Sequence, residues 1–73
     1  MQIPAIKKLV DNYSLEELKK AEAAISEEQS PEIDIQGEDE GEQLTHVIAA
    51  IWVKGHMEQE GSDYKAALRA YTN

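Results

Sequence analysis

Residues 42–60 read EQLTHVIAAIWVKGHMEQE, and the interpretation of this stretch decides the fold. The apolar run inside it, VIAAIWV at residues 47–53, suits a buried strand or a buried helix equally, because a short run carries no period of its own. Its surroundings decide for helix. Polar residues flank it in helical phase, and Gly61 stands where a left-handed C′ residue closes a helix. The expected helix starts at Gly41 or Glu42, ends at Glu60, and spans about 28 Å at 1.5 Å per residue. Leu44, Val47, Ile48, Ile51 and Trp52 fall on one face of it, and His46, Ala49, Ala50, Val53 and Met57 on a nearly opposite one. A helix apolar on two sides has to be buried on two sides.

Working outward, Ser14-Leu15-Glu16-Glu17 is a capping box, in which Ser14 caps and Glu17 reaches back from the third helical position. Tyr13 and Leu18 are spaced as its hydrophobic staple. This helix is expected from Leu15 to about Glu28, with Leu15, Leu18, Ala21 and Ile25 as its apolar stripe. A shorter helix over residues 4–12 precedes it, opened by Pro4, whose missing N–H costs nothing in a first turn. Ser30-Pro31 ends helical structure, and residues 30–41 read as a loop in which Ile33 and Ile35 tuck under the body. Beyond Gly61, Ser62 is the expected cap of a last helix running from Asp63 to the end of the chain. Tyr64, Ala67, Leu68 and Tyr71 form its stripe. The expectation is an all-α fold: a single domain over residues 1–73, built as a small bundle of three to four helices. The third helix is long and central, and an acidic loop joins the second to it.

Seventy-three residues lie near the lower limit for independent folding. Chains this short usually need a disulfide, a structural metal or oligomerisation beside their core. Cysteine is absent, so disulfides and thiolate zinc sites are excluded. Self-association is then the expected staple. The longest apolar run is far short of the ~20 residues that span a bilayer, and no signal-peptide pattern is present. Cytoplasmic residence is the expectation, without membrane partners.

The net charge of −8 is unevenly spread. Glu27, Glu28, Glu32, Asp34, Glu38, Asp39, Glu40 and Glu42 lie in one stretch that has no Lys or Arg, and the remainder of the chain is neutral. Phosphate recognition needs a basic patch, so nucleic acid and anionic membranes are poor partners. A basic protein surface is the outside partner that the acidic loop suits.

Candidate chemistry is sparse. His46 has Glu42 one turn before it and His56 has Glu60 one turn after it, spacings at which a carboxylate and an imidazole can share a metal or a proton. Ten residues separate the two histidines, so one helix cannot aim both at one ion. Hard cations need several converging oxygens, and the acids of residues 34–42 lack the spacing of a calcium loop. Asp39-x-x-Glu42 and Glu60-x-x-Asp63 imitate the paired acidic motifs of all-α nucleotide pyrophosphohydrolases. However, the second pair straddles Gly61 and the first begins before the helix. Ser14, Ser30 and Ser62 are accounted for by caps and turns, and no nucleophile elbow or phosphate loop is present. Gly55 inside the helix suggests close approach by another helix, and Trp52 is either a core knob or an interface anchor.

The expected function is therefore a small protein-interaction or accessory module. It acts as a homodimer or higher oligomer, with no catalysis and no cofactor of its own. Ala49, Ala50, Trp52, Val53 and Met57 are its expected interface. The alternative is a divalent-metal binder or metal-dependent hydrolase that uses the 34–42 carboxylates with His46. A small-molecule carrier in the bundle core is a third class.

Trp52, Gly55, Tyr64, Ala67 and Tyr71 across the Gly61-Ser62-Asp63 turn resemble part of a tetratricopeptide repeat. Such repeats act in stacks, and the first half of the chain has no second copy. The resemblance therefore implies only a shared helical-hairpin geometry. MQIPAIKKLVDNYSLEELKKAEAAI and GEQLTHVIAAIWVKGHMEQEGSDYKAALRAY together resemble a domain-of-unknown-function family of uncharacterised bacterial proteins of about this length. That resemblance implies a bacterial origin and no particular activity.

Overall fold

The computed structural model describes residues 2–73, which form α1 (Ile3–Asn12), α2 (Leu15–Ser26), α3 (Glu40–Glu60) and α4 (Tyr64–Thr72), with no strand among the described residues. Each helix boundary has a chemical cause. At the start of α2 both bonds of the capping box are made: the Glu17 N–H donates to Ser14 Oγ at 3.1 Å, and the Ser14 N–H to Glu17 Oε1 at 2.9 Å. The helix stops at Ser26, two residues before the expected end. Glu28 turns into the left-handed region at φ 60°, its N–H donates to the Ile25 carbonyl, and the Gln29 N–H donates to the Ala24 carbonyl. This is a Schellman closure with a glutamate where glycine is favoured.

α3 begins at Glu40, slightly earlier than expected, because the acids before it act as caps. Asp39 Oδ1 accepts from the Glu42 N–H at 2.8 Å, and Glu42 Oε1 accepts from the Glu38 N–H at 2.9 Å. Carboxylates also suit the positive end of a helix dipole. Gly61, at φ 66°, ends α3 as its spacing implied. The cap of α4 is Asp63, not Ser62: Asp63 Oδ1 accepts from the Ala66 N–H at 2.8 Å, the stronger charge-assisted cap. The buried Ser62 hydroxyl has no hydrogen-bond partner among the described residues.

Cross-links give the helix directions. The Gln2 N–H meets His46 and the Val10 carbonyl meets Lys54, a constant offset of 44 residues, so α1 runs parallel to α3. Lys54 Nζ reaches that carbonyl at 2.8 Å and places a positive charge on the negative end of α1. α2 returns antiparallel, and α4 folds back from Gly61 to bring Tyr71 beside Trp52. Every substantial helix–helix contact includes α3. At about 31 Å it runs nearly the full 33 Å length of the molecule.

The core gathers Ile6, Leu9 and Val10 from α1, and Leu18, Ala21 and Ile25 from α2. Val47, Ala49, Ala50 and Val53 from α3, Ala67 from α4 and Ile35 from the connecting segment complete it. The small Ala49 and Ala50 let neighbouring elements approach the α3 axis closely. The exposed surface is 4700 Å², close to the about 4500 Å² usual for a folded chain of this mass. A single copy is thus about as compact as an ordinary folded chain of its mass.

The acidic connection is docked, not free. Ile35 is buried, Gln43 Nε2 donates to the Ile35 carbonyl at 3.3 Å, and Gln36 is bonded to His46. Gly37, at φ 153°, lies so close to α3 that a Cβ there would stand 2.8 Å from the Gln43 backbone nitrogen.

Glu28→Gly tests the α2 closure. Removing the left-handed strain should return about 1–2 kcal/mol, against about 0.5–1 kcal/mol of added unfolded-state entropy. A net gain of about 0.5–1 kcal/mol should raise the thermal midpoint by roughly 4 °C in calorimetry.

Candidate docking surface

With its other sides turned to α1, α2 and α4, one meridian of α3 is left facing water. Along it stand Ile48, Ile51, Trp52, Gly55 and Gln59, spaced as i, i+3, i+4, i+7 and i+11. Ile48 and Trp52, one turn apart, are each 42% exposed, and Ile51 beside them is half-buried. Trp52 is held rather than loose. Its indole stacks on the His56 ring at 5.1 Å and 9°, and tilts at 51° against Tyr71 with centroids 5.3 Å apart. An aromatic held between a helix neighbour and a second helix loses little freedom on binding, as interface anchors require.

Beside Trp52 lies an open groove of about 510 Å³ lined by Leu15, Ile51, Trp52, Gly55, His56, Glu58 and Gln59. Gly55 has a role here that differs from the expected one. Apart from its own turn of α3, no atom of the described residues lies within 4 Å of where its Cβ would be, so no other helix approaches it there. Its missing side chain instead leaves the groove open, and glycine in mid-helix costs about 1 kcal/mol relative to alanine.

The expected interface divides in two. Ala49, Ala50 and Val53 are fully buried by the chain's own elements, so no second copy can reach them. That expectation is corrected. The small Ala49 and Ala50 are on the covered side of α3, while the bulkier Ile48 and Trp52 are left outward. Met57 is half-buried and packs on the core, and of the five only Trp52 is substantially exposed. The wheel separated the two apolar faces of α3, but the choice of which face the chain covers depends on helix directions. Leu15 and Tyr71 join the surface from α2 and α4, a juxtaposition with no signal in local sequence.

The metal reading fares differently at each residue. His46 is fully buried with both ring nitrogens engaged. The Gln2 N–H, which can only donate, lies 2.9 Å from Nε2, and the Gln36 carbonyl, which can only accept, lies 2.7 Å from Nδ1. The partners thus dictate a neutral ring protonated on Nδ1, with no lone pair free for an ion. Asp39 and Glu42 are occupied as caps of α3. Among the described residues no three His, Asp or Glu side chains converge as a metal site would require. His56 turns to Trp52 and not into a cluster of acids. Near the α1–α4 contact, Lys7 is bonded to Asp11 at 2.8 Å and lies 5.1 Å from the Tyr64 ring centre. Burial pushes the Tyr64 phenol above its usual pKa, and the nearby Lys7 charge partly offsets this.

The whole chain, residues 1–73, matches the family described as "Family of unknown function (DUF6952)", and the protein belongs to it. No curated protein and no solved structure matches the chain. No helix among the described residues is long and apolar enough to cross a membrane.

Replacing His46 with Leu keeps apolar volume but strands a backbone donor and a backbone acceptor. At about 1–3 kcal/mol for each orphaned group, the variant should lose roughly 3 kcal/mol in urea denaturation. It should also release residues 30–39, read as faster amide exchange there than in α2.

Proposed function

We propose that the protein is a non-catalytic interaction module that pairs with a second copy of itself through the Ile48–Trp52 face of α3. One observation carries this reading: two large apolar side chains stand one turn apart on the central helix, each 42% exposed, beside an open groove. The exposed part of Trp52 is roughly 100 Å², worth about 2.5 kcal/mol when covered. Size adds support, since a core of this extent is marginal without a further staple and cysteine is absent. Of the expected association surface, the proposal keeps Trp52 and leaves out the buried Ala49, Ala50 and Val53. The cytoplasm is the proposed compartment, where a chain held by packing alone has no need of disulfides.

The metal-dependent alternative gains nothing from the site. Its one histidine near the acids is committed to two backbone partners, and two of its acids to a helix cap.

Sedimentation velocity across the micromolar range tests the pairing. The wild-type protein should move toward twice the single-chain mass as concentration rises, with its Trp emission shifting to shorter wavelength. Trp52→Glu and Ile48→Glu should remain single chains with unchanged helicity. A wild-type protein that stays a single chain throughout rules the reading out.

Gly55→Ala provides a sharper pair of readouts. Alanine meets nothing in the folded chain, so stability should rise by about 1 kcal/mol. The added methyl enters the groove, so association should weaken at the same time. Higher stability with unimpaired association would mean that the groove is not the contact.

A further inference from the structure

We infer that the second copy docks antiparallel, α3 across α3 about a two-fold axis, so that Trp52 of each copy enters the groove beside the other's Gly55. This rests on the pairing proposed above and commits it to one orientation. The first argument is steric. Trp52 forms one wall of its own groove and is held there by His56 and Tyr71, so it cannot fill that groove itself. Trp52 and Gly55 are three residues apart, about 4.5 Å along the helix axis. An axis passing between them sets each tryptophan opposite the partner's glycine, knob against hollow, as a self-complementary two-fold interface requires. The same axis sets Ile48 opposite the partner's Gln59. A parallel arrangement instead sets Trp52 against Trp52 and hollow against hollow.

The second argument is charge. The eight acids of residues 27–42 supply the whole net charge, and the remaining seven acids and seven bases cancel. The fold gathers that stretch at one pole, around the end of α2, the docked connection and the start of α3. The opposite pole, at the start of α2, the end of α3 and the start of α4, carries both signs: Glu16, Glu17, Glu58, Glu60 and Asp63 stand there with Lys19, Lys54 and Lys65. Parallel docking brings two poles of charge −8 side by side. Antiparallel docking about that axis sets the two starts of α3 about 40 Å apart along the helix direction, well beyond the ~8 Å screening length at physiological salt. Shape and charge select the same orientation.

The absence of cysteine makes the test clean, because a single introduced thiol is the only one in the chain. Ile48→Cys and Gln59→Cys are purified separately, mixed, and treated with a short bis-maleimide. The expected major product joins position 48 of one copy to position 59 of the other, in several-fold excess over like-to-like products. Gln59→Cys alone keeps the apolar face intact and should cross-link to itself poorly, a readout independent of any loss at Ile48. Adding Trp52→Ala should reduce the mixed product to the level seen in denaturant. Abundant like-to-like products from a protein that still sediments as a dimer would overturn the orientation alone. A single chain at every concentration, with cross-linking no higher than in denaturant, would overturn the pairing itself and leave the groove to an unlike chain.

Discussion

A helix that is apolar around most of its circumference cannot stand at the edge of a fold, and this constraint organises the whole molecule. α3 is buried by every other helix, and no two of those helices form a substantial contact without it. The bundle is a sleeve laid around one rod. Because the sleeve has only three staves, the rod is covered on three sides, and Ile48 and Trp52 remain on the fourth. The incomplete cover is the source of the molecule's most distinctive surface.

The acidic stretch has more structural content than its composition implied. Eight carboxylates without a counter-ion in the sequence describe a segment that ought to repel itself into solvent. In the fold, Asp39 and Glu42 satisfy backbone donors at the start of α3, and Ile35, Gln36 and Gly37 press the connection onto that helix. His46 joins this segment to the beginning of α1 through one proton and one lone pair. A residue that looked like a ligand for an ion is a ligand for two peptide groups. Both of its ring nitrogens are taken up by these two partners.

Much of the fold was legible because its signals are local. The capping box at Ser14, the glycine after Glu60 and the helical stripes each depend on residues within one or two turns, so spacing alone locates them. The errors at boundaries have two origins, a choice between neighbouring caps and a backbone closure. Asp63 displaced Ser62 as a cap because a carboxylate accepts more strongly than a hydroxyl. Glu28 ended α2 early because the backbone closed on itself there despite the absence of glycine. Of the residues expected at an interface, Trp52 is exposed, whereas Ala49, Ala50 and Val53 are buried within the chain.

By itself the sequence determined the helices, the two apolar faces of α3 and the confinement of net charge to residues 27–42, since each is a matter of residue order along one axis. Only the tertiary structure decided which face of α3 the chain keeps for itself. That choice depends on the parallel course of α1 and the returns of α2 and α4, which place Leu15, Trp52, Gly55 and Tyr71 together from three separate helices. Close approach of several helices favours the side with alanines, because interaxial distance is set by the side chains at the crossing. The larger Ile48 and Trp52 were left outside for the same reason.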